Sequence, residues 1–114
     1  MITVTLQRDP GGYIRRFRAT GHSGYADSGS DIICAAITAI AATAIGSLQD
    51  LAGLDPVYTL EDGLIECLAP APDAMTDGQY QAARTLMDAA AIGCRQIQNS
   101  YGKKYVRIKE AIFT

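Results

Sequence analysis

The sequence predicts an α+β domain in two layers, a mostly antiparallel sheet with two helices on one face, in the order ββαββαβ. Three patterns carry this reading. Apolar residues alternate with period two in five short stretches, they recur every three or four residues in two long ones, and Gly, Pro and Asp collect at the junctions.

Ile2, Val4 and Leu6 alternate with Thr3, Thr5 and Gln7, the pattern of a strand with one buried face. Asp9-Pro10-Gly11-Gly12 is turn chemistry, and 13–20, with Tyr13, Phe17 and Ala19 on one parity, closes a hairpin. Gly21, Gly24 and Gly29 mark 21–30 as a loop with freedom to move. Asp31 is a good N-cap, and Ile33, Ile37, Ile40, Ala44, Leu48 and Leu51 follow at helical spacing. Apolar residues fill the other faces of this helix as well, which predicts cover on more than one side. Val57 to Leu60 and Leu64 to Leu68 flank Glu61-Asp62-Gly63 as a second hairpin. Thr76 and Gln79 have the form of a capping box, and Tyr80, Ala83, Met87, Ala90, Cys94, Ile97 and Tyr101 form one stripe of a second helix, ended by Gly102. Residues 105–112 alternate again and give the last strand. No repeat, linker or low-complexity tract divides the chain, so 1–114 reads as one domain.

With 48% hydrophobic and 19% charged residues, the composition is that of an ordinary globular domain. The net charge of −2 argues against generic nucleic-acid binding, which calls for a basic footprint. No uncharged run at the N-terminus has the form of an export signal. The 18 residues between Asp31 and Asp50 carry no charge, but Ala, Thr, Gly and Ser dominate them and aspartates flank them, so a buried helix is expected rather than a membrane span. Three widely spaced cysteines, Cys34, Cys67 and Cys94, point to a reducing, cytoplasmic setting.

The chemistry concentrates in residues 22–35. His22 is the sole histidine, and Cys34 falls in the first helical turn, where unpaired N–H groups and the helix dipole favour a thiolate and would hold an oxyanion. Asp27 or Asp31 would orient His22, although a helix cap accounts for Asp31 by itself. Cys67 and Cys94 lie on apolar stripes as core filler. His22 with the three cysteines lacks the short paired spacings of a zinc site, so neither metal nor cofactor is expected. Arg15, Arg16, Arg18, Lys103, Lys104, Arg107 and Lys109 read as a solvated sheet face. The residues alone leave open a catalytic pair, a thiol-dependent acyltransferase and a non-catalytic interaction module.

The stretch GHSGYADSGSDIICAAITA, Gly21 to Ala39, resembles the ribosomal-processing cysteine protease family, whose pattern is GH, a small residue, a short glycine-containing loop and D-[IV]-[VI]-C-A-A-[VI]-[ST]. Ser23 stands where alanine is common in that pattern, and Thr38 where serine is common. The resemblance implies that His22 is the general base and Cys34 the nucleophile. It further implies a cytoplasmic homodimer that removes an N-terminal extension from large-subunit ribosomal protein twenty-seven, with no membrane and no direct nucleic-acid contact. The 21–30 loop would then close on an extended peptide and bring His22 to Cys34.

Overall fold

A computed structural model describes residues 1–26 and 31–114. Strands β1 (Ile2–Arg8) and β2 (Ile14–Thr20) form the first hairpin, and α1 (Ile32–Asp50) follows. Strands β3 (Val57–Glu61) and β4 (Leu64–Leu68) form the second hairpin, α2 (Asp77–Tyr101) crosses back, and β5 (Val106–Ile112) ends the domain. The sheet order is β3-β4-β2-β1-β5. All neighbours are antiparallel except β1 and β5, because β5 returns from the α2 crossover and so runs in the same direction as β1.

One face of the sheet carries the core. Ile2, Val4 and Leu6 of β1, Phe17 and Ala19 of β2, Ile65 and Cys67 of β4 and Val106 of β5 are buried there with the inner faces of both helices. Each large apolar side chain so buried contributes roughly 1.5–3 kcal/mol. The opposite face holds Thr3 beside Arg107, Thr5 beside Lys109 and Arg18, and Gln7 beside Arg16. Arg16, Arg18, Arg107 and Lys109 thus line a polar sheet face, where Arg18 pairs with Glu66 at 3.4 Å and Arg16 with Gln7 at 2.9 Å, whereas Arg15 sits at an irregularity of β2 and Lys103 and Lys104 lie in the turn before β5, off the sheet face expected for them.

Two details depart from the simple periodicities. Gln7 pairs with Arg16 but Arg8 pairs with Ile14, so β2 bulges at Arg15 and both Tyr13 and Ile14 turn inward. Tyr13 meets Tyr80 edge-on, with ring centroids 5.4 Å apart, and its hydroxyl donates to the Pro70 carbonyl. On α1 the buried stripe runs through Ile33, Ile37, Ala41, Ala44, Ile45 and Leu48. Ile40 is only half-buried and Leu51, the C-cap, is 75% exposed, since a repeat of 3.6 residues carries both off the core face. The far side of α1, with Ile32, Ala35, Ala39 and Ala42, is exposed, so within one chain this helix is covered on one side only. By length and mean hydropathy, 1.9, α1 is apolar enough to cross a membrane, yet its stripe from Ile33 to Leu48 is part of the domain core.

Gly21 ends β2 at φ +89°, and a Cβ built there would lie 2.5 Å from the Met1 carbonyl oxygen. Gly24 also has positive φ, +73°, but open space around it. Gly21→Ala is therefore expected to destabilise by about 2–3 kcal/mol and lower the melting temperature by about 10 °C. Gly24→Ala should cost only about 1 kcal/mol. Thermal unfolding of the two variants side by side checks the difference.

Candidate active site

The start of α1 is organised by one carboxylate. Asp31, in extended conformation as N-cap, accepts through Oδ1 from the amides of Ile33 and Cys34, both at 3.0 Å. Its carbonyl accepts from the Ala35 amide. Its second oxygen, Oδ2, accepts from the Ser23 hydroxyl. Ser23 and Asp31 are the two buried polar residues among those described, 2% and 5% exposed. The Ser23 hydroxyl in turn accepts from the Tyr25 amide at 3.0 Å, and the Ser23 amide donates to Cys34 Sγ at 3.4 Å. The chain after β2 is thus fastened to the first turn of α1 directly over the thiol.

His22 and Cys34 line the same cavity, about 260 Å³, with Ile37, Thr38 and Leu60 also in its wall. They are not hydrogen-bonded to one another. The imidazole turns instead to the β3–β4 hairpin, where Nε2 lies 3.7 Å from Asp62 Oδ1. The hairpin tip reaches the site because Gly63 accepts from the Gly21 amide at 3.0 Å. A Cβ at Gly63 would stand 3.3 Å from His22 Nε2, so the glycine makes room for the ring. On the other side, Tyr25 packs edge-on against Tyr101 and Tyr105, with centroids 5.8 and 5.3 Å away.

Of the residues expected from the sequence, His22, Cys34 and Gly21 meet at the cavity, and Asp31 stands behind it as the helix cap. Gly24 lies in the same segment, while Asp27 and Gly29 fall outside the described residues. The carboxylate beside His22 is that of Asp62, not Asp31. The sequence offers no sign of this, since Asp62-Gly63 is sufficient as a turn and its approach depends on β4 pairing with β2. Ser23 was visible only as a departure from the family pattern. Cys67 and Cys94 are buried far into the core, and among the described residues no three His, Cys, Asp or Glu side chains gather as metal ligands.

The model of the cysteine protease Prp family matches residues 1–107. The chain belongs to that family. It is a cysteine protease, and the observed α+β fold is that of solved Prp structures. The ribosomal processing cysteine protease Prp of Bacillus subtilis strain 168 is 27% identical over 101 residues, covering 89% of this chain and 90% of that protein. A crystal structure of the ribosomal processing protease Prp from S. aureus, covalently linked to a product peptide, superposes with a TM-score of 0.77 at 20% identity, covering 96% of this chain and 99% of that one. SMU.848 from Streptococcus mutans gives 0.80 at 22% identity, covering 99% and 96%.

The electrostatics of the thiol differ from the sequence expectation. Burial pushes the Cys34 thiol above its ordinary value, the Asp31 carboxylate adds to the rise, and the Ser23 amide opposes it. The amides of Ile33 and Cys34, which the sequence reading assigned to a thiolate or an oxyanion, are held by Asp31 instead. Burial pushes the other two thiols up further, Cys67 to about 11 and Cys94 to about 12. For Asp31, burial opposes ionisation, but hydrogen bonds from Ser23, Cys34 and Ile33 outweigh it and hold the carboxyl below its usual 3.8.

Alkylation of Cys34 in the free protein should accordingly be slow at neutral pH and rise above pH 9.0, with Cys67 and Cys94 reacting only on unfolding. Peptide mapping after timed iodoacetamide treatment reads this directly. Because its folded pKa is depressed, Asp31 stabilises the fold fully above its unfolded value of 3.8, and that contribution disappears as pH falls through the lower folded value. Urea titrations from pH 7 to pH 2 should show a fall in stability over that acid range which is shallower in Asp31→Asn. Asp31→Ala, which loses the cap and strands the Ser23 hydroxyl, should cost about 2–3 kcal/mol at pH 7.

Proposed function

We propose that this protease removes the N-terminal extension of large-subunit ribosomal protein twenty-seven, with Cys34 as nucleophile and His22 as general base. One observation carries the assignment of residues: a cysteine protease needs an accessible thiol, and Cys34 opens onto a cavity shared with His22 while Cys67 and Cys94 are enclosed in the core. The name of the Bacillus subtilis relative, a ribosomal processing protease, supports the substrate class.

In this reading the thiol is neutral in the free enzyme. His22 leaves Asp62, takes the Cys34 proton as sulfur attacks the scissile carbonyl, and returns a proton to the departing amine. Water then hydrolyses the thioester. Asp31 occupies the helix amides, so stabilisation of the oxyanion passes to the segment over the thiol, where the Ser23 amide already points at Sγ. The apolar wall formed by Ile37, Leu60 and Ile65 suits a peptide backbone carrying apolar side chains.

The enzyme acts as a cytoplasmic homodimer, a reading supported by the exposed apolar face of α1. Sedimentation velocity should return twice the 12.1 kDa chain mass. Incubation with the extended ribosomal protein of the same host, followed by mass spectrometry, should show one cut at the extension's boundary. Cys34→Ala should lower that rate at least 1000-fold, on the order seen when a catalytic nucleophile is removed, while shifting the melting temperature by only a few degrees. Undiminished cleavage by Cys34→Ala would rule the assignment out.

A further inference from the structure

Ser23 is 2% exposed, and a hydroxyl so buried is unfavourable unless its donor and acceptor capacities are both used. Both are used here. It donates to Asp31 Oδ2, a charge-assisted bond, and accepts from the Tyr25 amide, while its own amide donates to Cys34 Sγ. Ser23 is the residue next to His22. With the Ser23 nitrogen 3.4 Å from Sγ, backbone geometry places the His22 Cα within about 6 Å of the sulfur. From there the imidazole can exchange Asp62 for Cys34 by turning about χ1 and χ2, with the backbone of residues 21–24 at rest. The site therefore needs a fixed pivot, and among the described residues the bond between the Ser23 hydroxyl and Asp31 fastens residues 21–24 to the N-cap of α1, beside the bond from the Ser23 amide to Cys34 Sγ.

We propose that Ser23 is a positioning residue for the protease reaction: its hydroxyl, bonded to Asp31, holds the Ser23 amide on Cys34 Sγ and keeps His22 one side-chain rotation from the thiol. The proposal deepens the reading of His22 and Cys34 given above and rests on it. The tether acts on orientation rather than on substrate contact, which separates its effect on kcat from any effect on KM.

The test compares Ser23→Ala and Ser23→Thr with the unaltered protein on a fluorogenic peptide spanning the extension boundary, and reads the amide exchange of residue 23 by NMR. Ser23→Ala should lower kcat about tenfold with KM within about twofold, and speed exchange at residue 23 about tenfold with exchange at Ala35 unchanged. Ser23→Thr, which keeps the hydroxyl, should restore kcat to within about threefold and return exchange to its original rate. A Ser23→Ala enzyme with unaltered kcat, or one slowed without faster exchange at residue 23, overturns the tether. Retention of activity by Cys34→Ala would instead overturn the underlying assignment, so the two failures are distinguishable.

Discussion

The Asp31 carboxylate accepts from the amides of Ile33 and Cys34 through one oxygen and from the Ser23 hydroxyl through the other, so the start of α1 and the segment after β2 are held as one unit. Remove that group and three things change together. The helix loses its cap, the buried Ser23 hydroxyl loses its partner, and the thiol loses the fixed amide above it. A cap alone would be served equally well by a serine or threonine, whose single oxygen accepts from the helix amides. Two oxygens are needed to serve the helix and the neighbouring segment at once, which is a reason for a carboxylate in a place that is almost wholly closed to water.

That arrangement has an electrostatic consequence for the Cys34 thiol. The positive end of a helix dipole favours a thiolate, worth about 1.4 kcal/mol for each unit of pKa. Here a full negative charge already sits at that end, and burial and the carboxylate together raise the Cys34 thiol. The favourable contribution of the Ser23 amide is the smaller effect. A thiol raised in this way is protected from adventitious oxidation and alkylation, and in the proposed reaction it becomes a nucleophile only when a base comes to it. Under the proposed assignment, the control of reactivity thus shifts from the helix to His22.

The position of His22 depends on the sheet. Strand β2 lies between β1 and β4, so its C-terminal end, from which Gly21 and His22 emerge, meets the β3–β4 turn as well as the N-terminal end of the chain. Gly21 is caught between the Met1 carbonyl on one side and the Gly63 carbonyl on the other. At φ +89° Gly21 lies in the left-handed region that favours glycine, which is what lets the chain pass between the two. His22 rests against Asp62 and Gly63 because the hairpin brings them there, with a glycine where any larger residue would crowd the ring.

Much of this molecule is written in local patterns. Both hairpins, both caps and the two helical stripes are legible because each depends on residues within one or two turns of one another: Thr76 and Gln79 close a capping box, Gly12 and Gly63 supply the positive φ of their turns, and Asp31 meets the two amides that follow it. The GH and D-I-I-C segments mark His22 and Cys34 as a candidate pair through their resemblance to the family pattern. What the sequence could not determine is which groups those residues touch across the fold. The parallel pairing of β1 with β5, the bulge at Arg15, the approach of Asp62 to His22, the second oxygen of Asp31 on Ser23 and the aromatic seat of Tyr25 all join residues far apart in the chain or dependent on an exact register. Local propensity carries no information about such contacts. They follow only once the apolar faces of five strands and two helices have been buried together, and it is that burial which brings the segment after β2 over the thiol, with the Ser23 amide on Sγ.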